Sequence, residues 1–261
     1  MAQRRRTPAT EYFGAELRRT REEAGMSREE LGNVTGYVGG TIAQLEIGER
    51  FPQERFIDQL DDIFKTSRFR LIYHKLLRRD AYPESFRPWI DIEQEATALR
   101  WFELSHVPGL LQTEAYARAI FTGREDVEAK VAARLERQEV VHRDGSPEFV
   151  AVIDESALRR PVGGDDVMRK QLLALAEAAE RWIIQVVPWE ARSYLCLDGP
   201  FVLATLDGSD VVYLPTAQAG YILDSHDAVA EIRWRWDAIR GEALSRWQSK
   251  DLILRLAGDD E

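Results

Sequence analysis

The chain has 261 residues, 44% of them apolar, which is enough to form one large core and one smaller core. Its formal net charge is −10, but the acidic excess lies in one part of the chain. Residues 1–75 hold 13 basic and 12 acidic residues, a net charge of +1, whereas residues 76–261 hold 22 and 33, a net charge of −11. The first part can therefore approach phosphate groups, while the second part is repelled by them at low salt.

Two further properties exclude whole classes of protein. The single cysteine, Cys196, excludes an intramolecular disulfide and a cysteine-rich metal site. No apolar run approaches the roughly 20 residues that a membrane span needs, and no apolar leader segment follows the basic N-terminus. We therefore expect a soluble, cytoplasmic protein with no membrane partner.

The first two predicted helices lie between residues 13 and 35. The first runs from about Phe13 to Ala24, and Leu17 shares the inward face of Phe13 because the two are four residues apart. The second runs over about residues 28–35. Ser27 and Glu30 form a capping box at its start. The residues expected to face inward on this second helix are Leu31 and Val34.

A sharp turn at Gly36 leads into a third predicted helix over about residues 39–47. Ile42 and Leu45 are three residues apart, so we expect both to pack inward. A fourth helix over about residues 53–64 closes the bundle. The residues expected on the outward faces of the third helix are Thr41 and Gln44. Two short helices joined in this way form a helix-turn-helix, whose second helix fits the major groove of DNA.

This segment resembles the Xre or λ-repressor type of helix-turn-helix over about residues 13–64. The matching residues are Leu17, Arg18, Arg19, Ala24-Gly25-Met26-Ser27, Leu31, Gly36-Tyr37 and the closing pattern Ile42-x-x-Leu45-Glu46-x-Gly48-x-Arg50-x-Pro52. The resemblance implies an all-α domain that binds double-stranded DNA. The residues it places at the DNA are Arg28, Gly39, Gly40, Thr41 and Gln44.

These positions have a predicted role at the DNA, and some have a plain structural interpretation as the alternative. Arg28 and Arg50 are expected to hold phosphates, which fixes position rather than sequence; the alternative is a solvated surface charge. Gln44 can pair with the edge of an adenine, and Thr41 can offer its hydroxyl or methyl group to a base. The alternative for Gln44 is an ordinary exposed helix residue. Glu46 is expected to be structural, bonded to Arg18, Arg19 or Arg50.

The chain departs from the family pattern at the start of the third helix. Polar residues are common in the family where Gly39 and Gly40 stand, and serine is frequent where Val38 stands. Glycines offer the backbone to a phosphate but read no base edge. Specificity is then expected to rest on DNA shape, or on the arm Arg4-Arg5-Arg6 entering a minor groove. The alternative for this arm is a disordered, solubilising N-terminus.

The remainder of the chain predicts a mixed domain. Helices are expected over about residues 92–104, 114–122, 125–142, 167–180, 227–246 and 249–256, and strands over about 148–153, 182–187, 201–206, 210–214 and 220–223. The predicted fold class is α+β, with an N-terminal all-α bundle and a larger C-terminal domain with a mostly antiparallel sheet. We divide the chain into a basic arm (1–10), the helix-turn-helix domain (11–70), a linker (71–90) and the C-terminal domain (91–261).

Several strings in the second domain resemble a domain of unknown function that follows an Xre-type helix-turn-helix in many actinobacterial regulators. The most specific of them is Val107-Pro108-Gly109-Leu110-Leu111-Gln112-Thr113-x-x-Tyr116-Ala117. The resemblance implies an antitoxin-like repressor or activator whose second domain binds a small partner protein, encoded next door, or a ligand. The residues assigned to partner binding are Pro108, Leu110, Leu111, Gln112 and Tyr116; the alternative is a tight turn between helices, docked on the core.

The sequence offers no clear catalytic centre. The four histidines are far apart, and phosphate-binding loops, dinucleotide fingerprints and nucleophile elbows are missing. Asp154-Glu155 suits an acid/base pair, but it suits a helix cap better. Residues 225–227, Ser-His-Asp, are adjacent and so do not face one another as a triad requires. We expect no enzymatic activity, no metal and no cofactor.

Taken together, these observations predict a DNA-binding transcriptional regulator that acts as a homodimer. Two alternatives remain from the residues alone. The first is a module that sequesters a partner protein and has a weakened DNA reader, which the two glycines favour. The second is a regulator that senses a small molecule, with Trp182, Trp189 and Tyr213 lining a pocket. For the pair Trp234 and Trp236, two apart on one helix, we expect one in the core and one at the surface.

Overall fold

The computed structural model describes residues 6–77, 82, 84–191, 194–217 and 219–258. It divides the chain into two compact units, Met1–Glu84 and Ser85–Glu261. The division falls within the segment 71–90 that the sequence suggests as a linker. Among the described residues, no helix has the length and apolar composition needed to cross a bilayer.

The first unit is a bundle of short helices. They are α1 (Pro8–Glu23), α2 (Arg28–Thr35), α3 (Gly39–Glu46), α4 (Glu54–Phe64) and α5 (Arg68–Ile72), followed by a π-helical turn (Tyr73–Leu77). Helix α1 starts earlier than the sequence pattern suggests, because Thr7 and Thr10 cap each other's backbone amides and Pro8 occupies the first helical position. The fully buried core residues include Phe13, Leu17, Leu31, Ile42, Phe56, Leu60 and Phe69.

Helix α2 is rotated relative to the prediction. Leu31 is buried as expected, but Val34 is exposed and Thr35 lies inward instead. The hydroxyl of Thr35 donates a hydrogen bond to the carbonyl oxygen of Leu31 at 2.7 Å, so its polar atom is satisfied inside the bundle. Because Thr35 is four residues from Leu31, it takes the inward position predicted for Val34.

The second unit combines helices with one sheet. Its helices are α6 (Arg87–Glu95), α7 (Glu114–Phe121), α8 (Val127–Arg137), α9 (Glu139–His142), α10 (Glu155–Arg159), α11 (Asp165–Arg181), α12 (His226–Glu242) and α13 (Arg246–Leu256). Its strands are β1 (Ala98–Glu103), β2 (Glu148–Asp154), β3 (Ile183–Val187), β4 (Phe201–Leu206), β5 (Ser209–Pro215) and β6 (Gly220–Leu223). Short 3-10 turns cover Glu84–Phe86, Gly109–Leu111 and Tyr194–Asp198.

The sheet has the strand order β3-β2-β1-β4-β5-β6. Strand β1 is parallel to β2, which is parallel to β3, whereas β1 with β4, β4 with β5 and β5 with β6 are antiparallel. The predicted fold class, a helical bundle followed by an α+β domain with a mostly antiparallel sheet, is confirmed.

Strand β1 corrects the prediction of one helix over residues 92–104. Helix α6 ends at Glu95, and Ala96 is extended with a ψ of 139°. The chain then enters the centre of the sheet, where β1 bonds to β2 on one side and to β4 on the other. Two later predictions also differ from the structure: residues 125–142 form two helices, α8 and α9, and the helix predicted over 227–246 ends at Glu242, before α13 starts at Arg246.

Both faces of the sheet are buried. One face, with Leu99, Ala151 and Val202, packs against a cluster that includes residues of α11 and α13. The other face, with Phe102 and Leu203, packs against residues of α12. Trp236 of α12 belongs to this second cluster, while Trp234 is exposed, so the prediction of one core and one surface tryptophan is confirmed.

Candidate nucleic-acid interface

Helix α3 presents one narrow face to solvent. Ile42, Leu45 and Glu46 are buried, whereas Gly40, Gln44 and Ile47 are exposed. The three exposed positions are four and three residues apart, so they form one stripe along the helix. Gln44 therefore faces outward, as predicted.

Thr41 does not belong to this stripe. Its residue exposure is only 9%, and its hydroxyl accepts a hydrogen bond from Nη1 of Arg50 at 3.3 Å. The prediction that Thr41 points outward to a base is therefore wrong. The reason is helical geometry: Thr41 precedes Leu45 by four residues, so it shares the buried face.

Apolar side chains are exposed on this stripe and in the segment before α3. Val38, the residue before α3, is 72% exposed and makes no capping hydrogen bond, and Val34 and Ile47 are exposed as well. None of these three residues was predicted to contact DNA. Val34 was expected to face the core, and apolar residues such as Val38 and Ile47 give no sequence signal for a contact with a base. Gln44 is thus the one polar side chain on the exposed stripe of α3.

A buried ion cluster fixes the end of α3. The side chain of Glu46 is fully buried and accepts bonds from Nε of Arg21 at 2.5 Å and Nε of Arg28 at 2.8 Å. Arg21 also donates from Nη1 to the carbonyl oxygen of Met26 at 2.6 Å. This arrangement joins α1, the start of α2 and the end of α3 through one carboxylate.

The partners predicted for Glu46 were wrong. Arg18 pairs with Glu22, Arg19 pairs with Glu16 and Glu23, and Arg50 bonds to Thr41. The signal for Arg21 lay in its spacing. It follows Phe13 and Leu17 at intervals of four residues, which predicts that it lies on the inward face of α1 but does not identify its partner.

The predicted phosphate ligands lie around this cluster. The Arg28 side chain is about half-exposed, and among the described residues its only hydrogen bond runs from Nε, which leaves both Nη groups able to donate to a phosphate. Arg50 is exposed beside Thr41. Arg6 pairs with Glu49 at 2.7 Å, just beyond α3. Arg4 and Arg5 lie outside the described residues, so their predicted role in the arm stays a prediction.

The glycines around α3 are constrained to different degrees. A Cβ on Gly32 would lie 2.5 Å from the backbone oxygen of Tyr37, so α2 and the turn touch there too closely for alanine. A Cβ on Gly39 would lie 2.7 Å from a carboxylate oxygen of Glu29. Gly40 has open space around it. The Glu29 carboxylate therefore lies beside the first turn of α3, where the sequence suggested a phosphate.

The segment predicted to bind a partner is part of the core. Pro108, Leu110, Leu111, Gln112 and Tyr116 are all buried. The amide of Val107 donates to the hydroxyl of Tyr116 at 3.1 Å, and Gln112 donates to the carbonyl oxygen of Val107 at 2.7 Å. Burial raises the pKa of Tyr116. These residues are not available to a partner. The alternative interpretation, a tight turn docked on the core, is correct in its packing, but the turn joins strand β1 to α7 rather than two helices.

The other polar motifs of the second unit are structural. Asp154 accepts the amide of Ser156 at 2.9 Å and caps α10, as the second interpretation of this motif predicted. Glu155 accepts from Arg159 and from the amide of Trp189. His226 and Asp227 are fully exposed at the start of α12. No group of three or more metal-ligating side chains occurs among the described residues.

The geometry of the first unit, a capped α2, a glycine turn and an exposed face on α3, defines a DNA-binding helix-turn-helix domain. A family model described as a helix-turn-helix domain matches residues 13–70, which supports this assignment. A second model, described as domain of unknown function DUF5753, matches residues 86–255. The chain belongs to this DUF5753 family, and its order of domains is that of an Xre-like helix-turn-helix regulator.

No curated protein and no solved structure matches the chain.

Proposed function

We propose that this protein is a sequence-specific transcriptional regulator that binds double-stranded DNA as a homodimer, with α3 in the major groove. The observation that carries the proposal is the exposed face of α3 with Gln44 on it, together with two arginines able to hold phosphates, Arg28 and Arg50, which bond to Glu46 and Thr41 of the same helix. Helix-turn-helix proteins commonly bind two half-sites about one helical turn apart, which motivates the dimer.

The exposed residues suggest what the reader recognises. The amide of Gln44 suits the N6 and N7 edge of adenine, and the methyl groups of Val38 and Ile47 suit the C5-methyl group of thymine. No charged side chain lies on the exposed stripe of α3 to pair with guanine. We infer an operator in which A·T pairs face α3, with Arg5 and Arg6 of the arm adding contacts in an adjacent minor groove.

The C-terminal domain is proposed to provide dimerisation and to bind a small partner protein or a ligand, as in antitoxin-like regulators of actinobacteria. Three tryptophan side chains, Trp189, Trp234 and Trp247, are exposed in this unit. Exposed tryptophans are common in protein interfaces, and this observation supports the proposal. We propose no enzymatic role for this domain.

The proposal is tested by selecting random duplex DNA with the purified full chain, at low salt and near physiological salt. We expect one enriched motif, rich in A·T, repeated with two-fold symmetry at a spacing of about 10 base pairs. Enrichment that disappears with added salt and leaves no motif would contradict sequence-specific binding.

A second candidate function is sequestration of a partner protein with little DNA binding. The observation that favours it is the Glu29 carboxylate beside the first turn of α3, because an acid there repels phosphate. A stable protein complex without DNA affinity near physiological salt would support this function over the first.

A further inference from the structure

The second unit contains a cavity of about 410 Å³ beside the central strand of its sheet. Strand β1 contributes Trp101 and Glu103, α8 contributes Arg137, and the end of β5 contributes Tyr213. Phe86 and His106 also line the cavity. Its volume lies within the range of about 300–1,000 Å³ that is typical of small-molecule sites.

The aromatic wall of the cavity is preformed, because its side chains contact one another. The guanidinium of Arg137 lies 4.8 Å from the ring centre of Phe86 and 5.4 Å from that of Trp101. Its charge is matched by Glu93, which accepts two bonds from it, at 2.6 and 2.5 Å. The wall is thus rigid and close to neutral, so Arg137 does not by itself repel a cation.

Glu103 differs from the other buried acids of this unit. Four carboxylates are buried among its described residues, and three of them pair with an arginine: Glu93 with Arg137, Glu155 with Arg159 and Asp210 with Arg233. Glu103 is only 2% exposed, yet no described lysine or arginine lies within ion-pair distance of it.

The hydrogen bonds of Glu103 leave one oxygen poorly compensated. Its Oε1 accepts from the amides of Leu104 and Ser105 and from the Ser105 hydroxyl. Its Oε2 lies 3.3 Å from Nδ1 of His106, which is also 3.2 Å from the carbonyl oxygen of Val107. A buried carboxylate is stable only when charge or hydrogen bonds compensate it, so this oxygen is suited to a further cationic partner.

We propose that this cavity binds a small organic cation, an aromatic or apolar molecule that carries a protonated amine, with Glu103 as its counter-charge. The ammonium group donates to Oε2 of Glu103, and the body of the ligand packs on Trp101 and Tyr213. Arg134 also lines the cavity, at Gly109, and its positive charge favours ligands whose amine lies on the side of Glu103. This site lies in the second unit, so a test of ligand binding there does not depend on whether the first unit binds DNA.

The test compares probes that share a ring and a two-carbon chain and differ in the charged group at its end. Tryptamine and indole-3-propionate share a ring and a chain length, and so do phenethylamine and 3-phenylpropionate. Each is titrated into the full chain by calorimetry at neutral pH. We expect both amines to bind at least tenfold more tightly than their acid counterparts. Failure of both amines to bind, or equal affinity for amine and acid, would overturn the proposal.

A substitution then assigns the counter-charge. Glu103→Gln keeps the shape of the side chain and most of its hydrogen bonds, and we expect it to weaken amine binding at least tenfold. The matched control is Glu231→Gln, which removes one charge from the exposed face of α12. Unchanged amine affinity in a folded Glu103→Gln protein would contradict the assignment. If that variant does not fold, the comparison of amines with acids on the natural chain still tests whether the cavity prefers a cation.

Discussion

Arg21 and Glu46, which lie 25 residues apart, form an ion pair of 2.5 Å inside the helix-turn-helix domain. The Glu46 side chain has no contact with solvent, and the Arg21 side chain is almost as deeply buried. The pair holds the end of α3 against α1. The position of the exposed face of α3 therefore depends on a contact that lies behind it.

Loss of Arg21 is expected to lower the free energy of unfolding of this domain more than loss of a surface arginine does. Arg21→Ala leaves the Glu46 charge buried with only Arg28 as partner, and such a change costs about 3 kcal/mol of the free energy of unfolding. Arg18→Ala removes an arginine from an exposed pair with Glu22 and should have little effect. Urea unfolding of both variants measures the difference, and equal midpoints would contradict it.

Two glycines of the motif are expected to respond to alanine in opposite directions. Gly40→Ala meets open space on α3 and gains helix propensity, so it should stabilise the domain by up to about 1 kcal/mol. Gly32→Ala places a methyl group 2.5 Å from the Tyr37 carbonyl oxygen and should destabilise it, because a backbone atom cannot easily move away. Thermal unfolding provides the comparison. Stabilisation by both changes would contradict the close contact between Gly32 and the Tyr37 carbonyl oxygen.

Neutralising Glu29 is expected to strengthen DNA binding. Its carboxylate lies beside the first turn of α3, so Glu29→Gln removes a negative charge close to the predicted phosphate path. We expect affinity for duplex DNA to rise roughly twofold to fivefold at low salt, and the gain to shrink as salt is added. Glu180→Gln, in the second unit, is the control for total charge. The same gain in both variants would assign the effect to net charge alone.

The base-reading and phosphate-binding roles can be separated on the selected operator. Gln44→Ala should reduce discrimination at one A·T pair by about 1 kcal/mol or more, and Val38→Ser should reduce it at a neighbouring thymine. Arg28→Ala should weaken specific and random DNA alike and lower the salt slope by about 1. Glu46 keeps Arg21 as a partner in this variant, so the fold is expected to survive. Equal effects of all three changes on both kinds of DNA would contradict the assigned roles.

Asp210 is expected to contribute to the acid sensitivity of the second unit. Burial opposes its charge, but hydrogen bonds from Arg233 and Thr205 outweigh burial and hold its pKa below the ordinary value of 3.8. The stabilisation is therefore complete above about pH 5 and is lost as the pH falls through the lowered pKa of the folded state. Unfolding measured between pH 5 and 2 should depend less steeply on pH for Asp210→Asn than for the natural chain. An unchanged slope would assign the acid response to other carboxylates.

Sequence patterns predicted the parts of the fold that are determined by interactions between residues close in sequence. The capping box at Ser27, the turn at Gly36 and the strand Phe201–Leu206 depend on residues within a few positions of one another, and the structure has all three. The helix predicted over residues 92–104 failed for the opposite reason. Its second half becomes β1 because partners about 50 and 100 residues away, β2 and β4, bond to both of its edges. No spacing within the segment contains that information.

The candidate site divides in the same way. Gln44 was placed correctly, because the core residues Ile42 and Leu45 determine the faces of a short helix. Thr41 was predicted to face outward and Val34 inward, and both predictions were wrong. Thr35 and Thr41 bond their hydroxyl groups within the bundle, so a threonine is buried there as readily as a valine. The pairing of Glu46 with Arg21 and the cavity around Glu103 depend on how distant segments meet, and only the structure shows them.

The position of β1 in the sheet also has a consequence for the order in which the chain acquires structure. The Thr97 hydroxyl bonds to the Thr205 carbonyl oxygen across 108 residues of sequence, and the adjoining β1–β4 ladder joins equally distant segments. Contacts of this separation close large loops and form slowly, whereas a bundle of short helices folds fast. During synthesis the core of the first unit is complete once Leu77 has emerged, long before β4 exists. We therefore expect a nascent chain to fold its helix-turn-helix domain before β4 is available to pair with β1.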